Sequence, residues 1–173
     1  MDAPTLGAKM LQINTHWIAL ALEGLTDADL LRRPHAQCNP LGWTLWHQYR
    51  VEDRLMSAIS GHEQVWMAGG WHARFALPAD PQQTGQGETL EHVMALRPTV
   101  SALQGYGAAV RAHTLACWQR LTPADLDREL PALGGGARSV GDYVGTFLRD
   151  HLHHSGQVCY LRTYLKGEGW FPR

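Results

Sequence analysis

The sequence is poor in cysteine, has no long apolar run and carries no large excess of charge. Its three cysteines among 173 residues are odd in number and widely spaced, at positions 38, 117 and 159, which argues against a disulfide framework and a zinc knuckle. No run of about eighteen apolar residues occurs, and the N-terminus lacks a basic stretch followed by an apolar one. We therefore predict a cytoplasmic protein with no membrane partner.

The charge balance argues against a second class, the nucleic-acid-binding proteins. Fifteen Lys and Arg stand against sixteen Asp and Glu, for a formal net charge of -1. Nucleic-acid binding needs a basic stripe, and Arg32, Arg33, Arg50 and Arg54 are too few and too close to acidic residues to make one. A small molecule is the expected partner.

What the sequence does contain is helical periodicity. Apolar residues recur at helical spacing in four segments, approximately 6–25, 41–59, 89–121 and 140–165. Asn39-Pro40 should supply a cap and a first-turn proline to the second helix, and Pro98 should kink or split the third. No segment alternates as a strand would. Residues 1–173 are therefore predicted to form one all-α domain.

Two short segments between the long helices resemble each other. Residues 25–32 and 121–128 are largely identical, and each begins with a threonine, Thr26 or Thr122, followed three residues later by an aspartate that would complete a capping box. This internal similarity indicates that the chain consists of two helix-linker-helix halves. A duplicated pair of helices packed against its copy is a four-helix bundle.

A long connection joins the second and third helices. It spans 61–87, is rich in glycine and proline, and contains Trp66, Trp71 and Phe75, which could pack it down. A connection of this length often forms a lid or a binding loop. The alternative is a segment that only covers one end of the bundle.

The densest group of chemically active side chains is 150–154, Asp-His-Leu-His-His, in the last helix. Asp150 and His154 are four residues apart, so both project from one face of a helix, as a metal chelate requires. His47 of the second helix should face them as the third ligand, while His151 is the alternative to Asp150. Three ligands leave coordination positions open for water and substrate, which is typical of a catalytic site.

The segment 39–53, which contains Asn-Pro-Leu-Gly-Trp-Thr-Leu-Trp-His, and the segment 153–162, with His-His-Ser-Gly-Gln, together resemble the DinB-like (YfiT-like) superfamily of four-helix proteins. The resemblance implies a divalent metal, commonly zinc or nickel, held by His47, Asp150 and His154. Many members have histidine in place of Asp150. Relatives similar to mycothiol-dependent maleylpyruvate isomerase have a carboxylate there, which favours harder ions such as iron or manganese.

The same resemblance implies an activity and an assembly. Characterised relatives use a low-molecular-weight thiol, such as bacillithiol or mycothiol, in transfer or isomerisation, and a homodimer is expected. We predict a thiol-dependent transferase or isomerase that acts on a small electrophile. Two alternatives remain: a metal-stabilised helical binding module without turnover, and a metal-dependent hydrolase with Glu52, Asp53 or His151 as general base. A metal position sealed from solvent would contradict the enzyme interpretations.

Overall fold

A computed structural model describes residues 2–132 and 135–171, and four long helices dominate these ranges. The long helices are α1 (Ala3–Leu22), α3 (Leu41–Ser60), α7 (Val100–Trp118) and α8 (Val140–Lys166). Shorter elements connect them: α2 (Asp27–Leu30), α4 (Val65–Ala68), α5 (Trp71–Arg74), α6 (Leu90–Ala95), a 3-10 helix (Pro123–Asp127), β1 (Glu129–Pro131) and β2 (Ala137–Ser139). The predicted all-α class and the four-helix bundle are confirmed.

The side-chain contacts between long helices fix their relative directions. Gln48 donates to Ser155 and Glu52 contacts His151, so α3 and α8 are antiparallel. Asn14 donates to the same Ser155, and Arg162 donates to the carbonyl of residue 23 just beyond α1. Helices α1 and α8 therefore run parallel.

The two predicted halves interlock instead of packing as separate pairs. Helix α1 packs mainly against α7 and α8, and α3 packs against the same two helices. The two helices of each half, α1 with α3 and α7 with α8, thus stand diagonally across the bundle. Each half lacks a closed core of its own and buries its apolar surface only against the other.

The long connection between α3 and α7 follows from this arrangement. The ring of Tyr49, in the middle of α3, contacts Tyr106 in the first half of α7, whereas Ser60 at the end of α3 contacts His113 further along α7, so the two helices are parallel. A helix of twenty residues is about 30 Å long, and the chain must return over that distance before α7 can begin. Residues 61–87 carry α4 and α5 on this path, so they are not structureless.

The local signals for helix limits are mostly confirmed. Pro98 splits the third segment into α6 and α7. Thr26 and Thr122 both form the predicted capping boxes, although the second opens a 3-10 helix. Gly167, with φ of 75°, ends α8.

Two local expectations are wrong. Pro40 is itself the N-cap of α3, in extended conformation and without a capping side chain, so Asn39 does not cap this helix. The short antiparallel ladder of β1 and β2 is also absent from the sequence prediction. Three residues per strand are too few for a period-two pattern to stand out.

No helix within the described ranges is long and apolar enough to cross a membrane. The cytoplasmic location stays a prediction.

Candidate metal centre

The structure brings His47, Asp150 and His154 together between α3 and α8. His47 Nε2 lies 3.9 Å from Asp150 Oδ1, and His154 Nε2 lies 3.5 Å from the same oxygen. One potential ligand atom from each residue lies within 4.8 Å of the other two. Within the described ranges this is the group of at least three His, Cys, Asp or Glu side chains that could hold a metal ion. We call it the His–Asp–His site.

Both imidazoles are oriented by hydrogen bonds on the side away from Asp150. His47 Nδ1 donates to the backbone carbonyl of Thr84 at 2.5 Å, and His154 Nδ1 donates to Gln157 Oε1 at 2.7 Å. In the neutral form each ring then carries its proton on Nδ1, which leaves a lone pair on Nε2. The two lone pairs face one carboxylate oxygen. Metal-binding histidines usually have this second hydrogen bond.

Asp150 lacks close partners in this arrangement. Its contacts to the two Nε2 atoms are longer than hydrogen bonds, and its other oxygen, Oδ2, is buried without a hydrogen-bond partner. A carboxylate that is only 14% exposed needs a positive partner. Donor atoms bound to one zinc ion at about 2.1 Å stand about 3.4 Å apart, so small side-chain shifts would accommodate a divalent cation.

Burial favours the neutral form of His47. Desolvation lowers its pKa below the ordinary value, although the hydrogen bond to Thr84 and the charge of Asp150 act in the opposite direction. The Trp43 ring stacks on the His47 ring, with centroids 5.0 Å apart and planes inclined by 3°. The edge of the His154 ring approaches the same imidazole at 4.8 Å between centroids. The imidazole is thus held in one orientation and in the form that binds metals.

Thr84 belongs to the connection 61–87, and a buried arginine holds that segment in place. Arg50, fully buried in α3, donates to the carbonyls of Gln83 and Pro81 and to Gln64 Oε1. The segment that supplies the Thr84 carbonyl is therefore fixed to the same helix that carries His47. The connection takes part in the site, beyond covering the bundle.

Gly85 allows this segment to approach the helix closely. Its φ is 88°, and a Cβ atom added there would lie 2.7 Å from the Trp43 ring and 2.9 Å from the Trp46 ring. Both the left-handed backbone and the contact with two tryptophans require glycine. Residue 85 follows Thr84 directly, so a larger side chain would move the carbonyl that orients His47.

His151, the predicted alternative to Asp150, lies outside the His–Asp–His site. Its Nε2 lies 2.9 Å from Glu52 Oε2, and its Nδ1 faces the carbonyl of Phe147 at 3.2 Å. Both nitrogens already have partners. The sequence could not reveal this, since Glu52 lies 99 positions away.

Glu52 and Asp53, two candidates for a general base, are fully buried and engaged. Glu52 pairs with Arg111 at 3.1 Å and accepts from Thr114. Asp53 accepts from the backbone N–H groups of residues 65 and 66 and from Tyr106. Neither carboxylate faces the His–Asp–His site as a free base.

Sequence reasoning missed the two orienting groups, Thr84 and Gln157. Gln157 lies three residues after His154 on the same helix, so helical spacing could have identified it. Thr84 contributes only its backbone carbonyl from 37 positions away, and no side-chain pattern marks such a contact.

Fold and site together define a four-helix bundle with a candidate metal centre between two antiparallel helices, compatible with a divalent ion. The model of the DinB superfamily matches residues 11–158, and the chain belongs to that superfamily. The crystal structure of a conserved protein from Enterococcus faecalis superposes with a TM-score of 0.82 at 22% identity, over 97% of this chain and 99% of that one. At this identity the likeness concerns the fold. No curated protein matches the chain by sequence.

Proposed function

We propose that the protein binds a divalent metal through His47, Asp150 and His154 and uses it in a thiol-dependent transfer or isomerisation of a small electrophile. One observation carries the metal assignment: two imidazole lone pairs face one carboxylate oxygen that lacks a close partner. Two nitrogens and one oxygen suit zinc or nickel, and the carboxylate also admits iron or manganese.

Access to the site supports a catalytic use of the metal. The side chains of His47, Asp150 and His154 are 10%, 14% and 19% exposed, so the site is recessed but not sealed. A pocket of about 370 Å³ begins about one helical turn away and is lined in part by Thr84, whose carbonyl accepts the hydrogen bond from His47. Three protein ligands leave room at a tetrahedral or larger coordination shell for an exogenous group.

In the proposed reaction, the metal ion would activate the thiol, and the protein side chains would hold and orient the ion. A bound divalent cation lowers the pKa of a thiol, which favours the nucleophilic thiolate near neutral pH. In the neutral rings, the Thr84 carbonyl and Gln157 Oε1 accept the Nδ1 proton, so the Nε2 lone pair of each ring faces Asp150, which supplies the negative charge that favours a cation. Hydrolysis is less well supported, because Glu52 and His151 are engaged with each other at 2.9 Å.

Elemental analysis of the purified protein tests the metal assignment. We expect about one divalent ion per chain in the wild type and a loss of at least tenfold in affinity in His47→Ala and His154→Ala. His153→Ala is the matched control, because His153 is exposed on the same helix and outside the site. Full metal retention in both His47→Ala and His154→Ala would refute the assignment.

A thiol-plus-electrophile assay tests the activity. The metal-loaded protein should accelerate the consumption of a small electrophile only when a low-molecular-weight thiol is present, and His154→Ala should abolish this acceleration. Turnover of esters or amides without thiol would favour the hydrolase instead. Metal binding that raises the melting temperature without either activity would favour the non-catalytic module.

We also propose a homodimer that forms through an apolar stripe on α1 and α8. Leu6, Met10 and Ile13 lie on one face of α1, and Leu148 and Leu152 continue it on α8. Ile13 is 59% exposed and Leu152 is 64% exposed. Exposed apolar side chains on neighbouring helices favour burial at an interface, and a two-fold axis would bury the stripe against its own copy.

The oligomeric state tests this assembly. Size-exclusion chromatography with light scattering should give twice the chain mass, and Ile13→Asp with Leu152→Asp should give the monomer. Leu90→Asp is the control, because Leu90 is an exposed leucine of α6 outside the stripe. A monomeric wild type would contradict the proposal.

A further inference from the structure

The pocket beside the His–Asp–His site is unusually rich in arginine. Its lining includes Arg54 of α3, Arg138 of β2 and Arg149 of α8. The other lining residues are neutral: Val51, Leu55, Thr84, Gln86 and Thr146. The pocket is thus lined by three guanidinium groups, and no carboxylate is among its lining residues. We call this site the arginine pocket.

The arginine pocket begins one helical turn from the candidate metal ligands. Val51 follows His47 by four residues on α3, and Thr146 precedes Asp150 by four residues on α8. Four residues of an α-helix rise about 6 Å. Because α3 and α8 are antiparallel, both displacements point toward the same end of the bundle. A molecule of a few carbon atoms could reach both places.

Two of the three arginines donate hydrogen bonds to neutral groups. Arg54 donates to Gln82 Oε1, and its Nε is buried without a hydrogen-bond partner. Arg138 donates to Thr146 Oγ1 at 2.8 Å and to the carbonyl of Asp142. Among the described residues, no ion pair includes Arg54, Arg138 or Arg149. Hydrogen bonds from Ser139 and the charge of Arg138 lower the pKa of the neighbouring Asp142 carboxyl, whereas within the described ranges Arg54 and Arg149 have no acidic partner.

Other arginines of the bundle show the contrast. Arg50 pairs with Asp53 at 3.3 Å, and Arg111 pairs with Glu52 at 3.1 Å. These buried guanidinium groups are neutralised within the fold. A group of uncompensated arginines that lines a pocket instead attracts an anion from solution.

We propose that the arginine pocket binds an anionic oxygen group of the substrate, a carboxylate or a phosphate, while the electrophilic carbon lies at the His–Asp–His site. Guanidinium groups match the planar carboxylate and the phosphate oxygens through paired N–H donors. Val51 and Leu55 offer an apolar wall for the short carbon chain between the two ends. This inference rests on the proposed function, because it names the substrate class of the same site.

Binding of simple anions tests the proposal without any need for turnover. Succinate and inorganic phosphate are titrated separately into the purified metal-loaded protein and into chelator-treated protein, at constant ionic strength, by isothermal titration calorimetry. At least one probe should bind in both preparations, since the arginines do not depend on the metal. The probe that binds more tightly distinguishes a carboxylate from a phosphate substrate.

Variants localise the binding. Arg54→Gln and Arg149→Gln should each weaken the probe at least tenfold and leave the metal content unchanged. Arg97→Gln removes the same charge between α6 and α7, outside the pocket lining, and should leave the affinity within twofold. Equal affinity in wild type, Arg54→Gln and Arg149→Gln would overturn the proposal, as would an equal loss in Arg97→Gln.

The outcomes separate this proposal from the proposed function. If neither probe binds while metal and thiol-dependent activity are present, only the arginine pocket assignment fails. If the probes bind at the arginines but purified protein takes up no metal, the pocket stands and the metal-dependent function fails.

Discussion

Two histidine–carboxylate groups join the same pair of helices, α3 and α8, and they differ in whether their atoms already have partners. In the closed cluster, Glu52 meets His151 at 2.9 Å and Arg111 at 3.1 Å, and all three side chains are buried. In the His–Asp–His site, the corresponding separations are 3.5 Å and 3.9 Å, and Asp150 Oδ2 has no hydrogen-bond partner.

The comparison shows that residue types alone do not identify a metal site. The closed cluster uses its histidine nitrogens and its carboxylate within the fold, where an arginine compensates the charge. The His–Asp–His site directs its free lone pairs to one place near solvent. A candidate ligand is therefore recognised by an available lone pair and a nearby opening, and the following changes test that distinction.

Removal of the central carboxylate of the closed cluster should have the largest effect on stability. Glu52→Ala leaves Arg111 buried without its anion, and loss of one partner of a buried ion pair costs about 3–5 kcal/mol. We expect a fall of that size in the free energy of unfolding, measured by urea denaturation. Metal content should be unchanged in protein that remains folded.

Glu63→Ala is the control for this change, because Glu63 is an exposed carboxylate of the connection after α3. It should change the free energy of unfolding by less than about 0.5 kcal/mol. Loss of metal in Glu52→Ala without loss of stability would mean that the two groups are not separate.

Displacement of the Thr84 carbonyl should lower the affinity of the His–Asp–His site for a divalent metal. A methyl group at Gly85 meets Trp43 and Trp46, so Gly85→Ala should shift the neighbouring carbonyl from His47. Changes of the groups that orient metal ligands typically cost about 10–100-fold in affinity. A competition titration with a chromophoric zinc chelator measures the loss.

Gly87→Ala controls for backbone strain. Gly87 has a φ of 77°, close to that of Gly85, but nothing lies within 4 Å of an added Cβ. Both variants share the strain of a left-handed residue, and only Gly85→Ala adds the collision. Equal metal affinity in the two variants would show that the Thr84 carbonyl does not orient the ligand.

Removal of the second orienting group, the Gln157 side chain, should lower the metal affinity less. Gln157→Ala removes the acceptor from His154 Nδ1, but Gln157 is exposed and water can replace it. We expect a loss in metal affinity of about tenfold or less. Gln157→Glu should retain or increase the affinity, since a carboxylate also accepts this hydrogen bond. A hundredfold loss in Gln157→Ala would indicate that Gln157 itself binds the metal.

Acidification should gradually reduce the contribution of the closed cluster to the free energy of unfolding. Burial alone would raise the pKa of Glu52, but Arg111 and His151 lower it below its ordinary value. A carboxyl with a lowered folded-state pKa stabilises the fold above its unfolded-state pKa, about 4.3, and this contribution disappears as the pH falls through the folded-state pKa.

The destabilisation caused by Glu52→Gln should therefore be largest near neutral pH. It should shrink below pH about 4.3, by no more than about 1.4 kcal/mol per pH unit. Urea denaturation of wild type and Glu52→Gln across this range measures the difference. A difference that stays constant with pH would contradict the assigned ion pair.

Much of the fold could be predicted because its signals are local. Periodicity predicts a helix from Leu41 to about residue 59, and α3 ends at Ser60; it predicts an end of the last helix near residue 165, and α8 ends at Lys166. Periodicity, Pro98 and the threonine caps act within one or two helical turns, so a single sequence carries them. The prediction for Asn39 failed because Pro40 itself takes the N-cap position.

The ligand set could be predicted only in part. Asp150 and His154 share a helix face by spacing alone, whereas His47 lies on another helix, and only the packing of α3 against α8 brings it to them. The structure places the His47 ring between Asp150 and His154. The structure brings the three predicted side chains together, and their role as metal ligands stays a prediction.

By itself, the sequence determined the approximate limits of the long helices, which two side chains of α8 share one face, and which side chains could serve as ligands, since all of these depend on neighbours along the chain. The tertiary structure alone decided that His151 joins Glu52, that Asp150 is left without a close partner, and that Thr84 and three arginines come to the same end of the site. Those outcomes depend on contacts between residues far apart in the chain, which form only when the four helices pack.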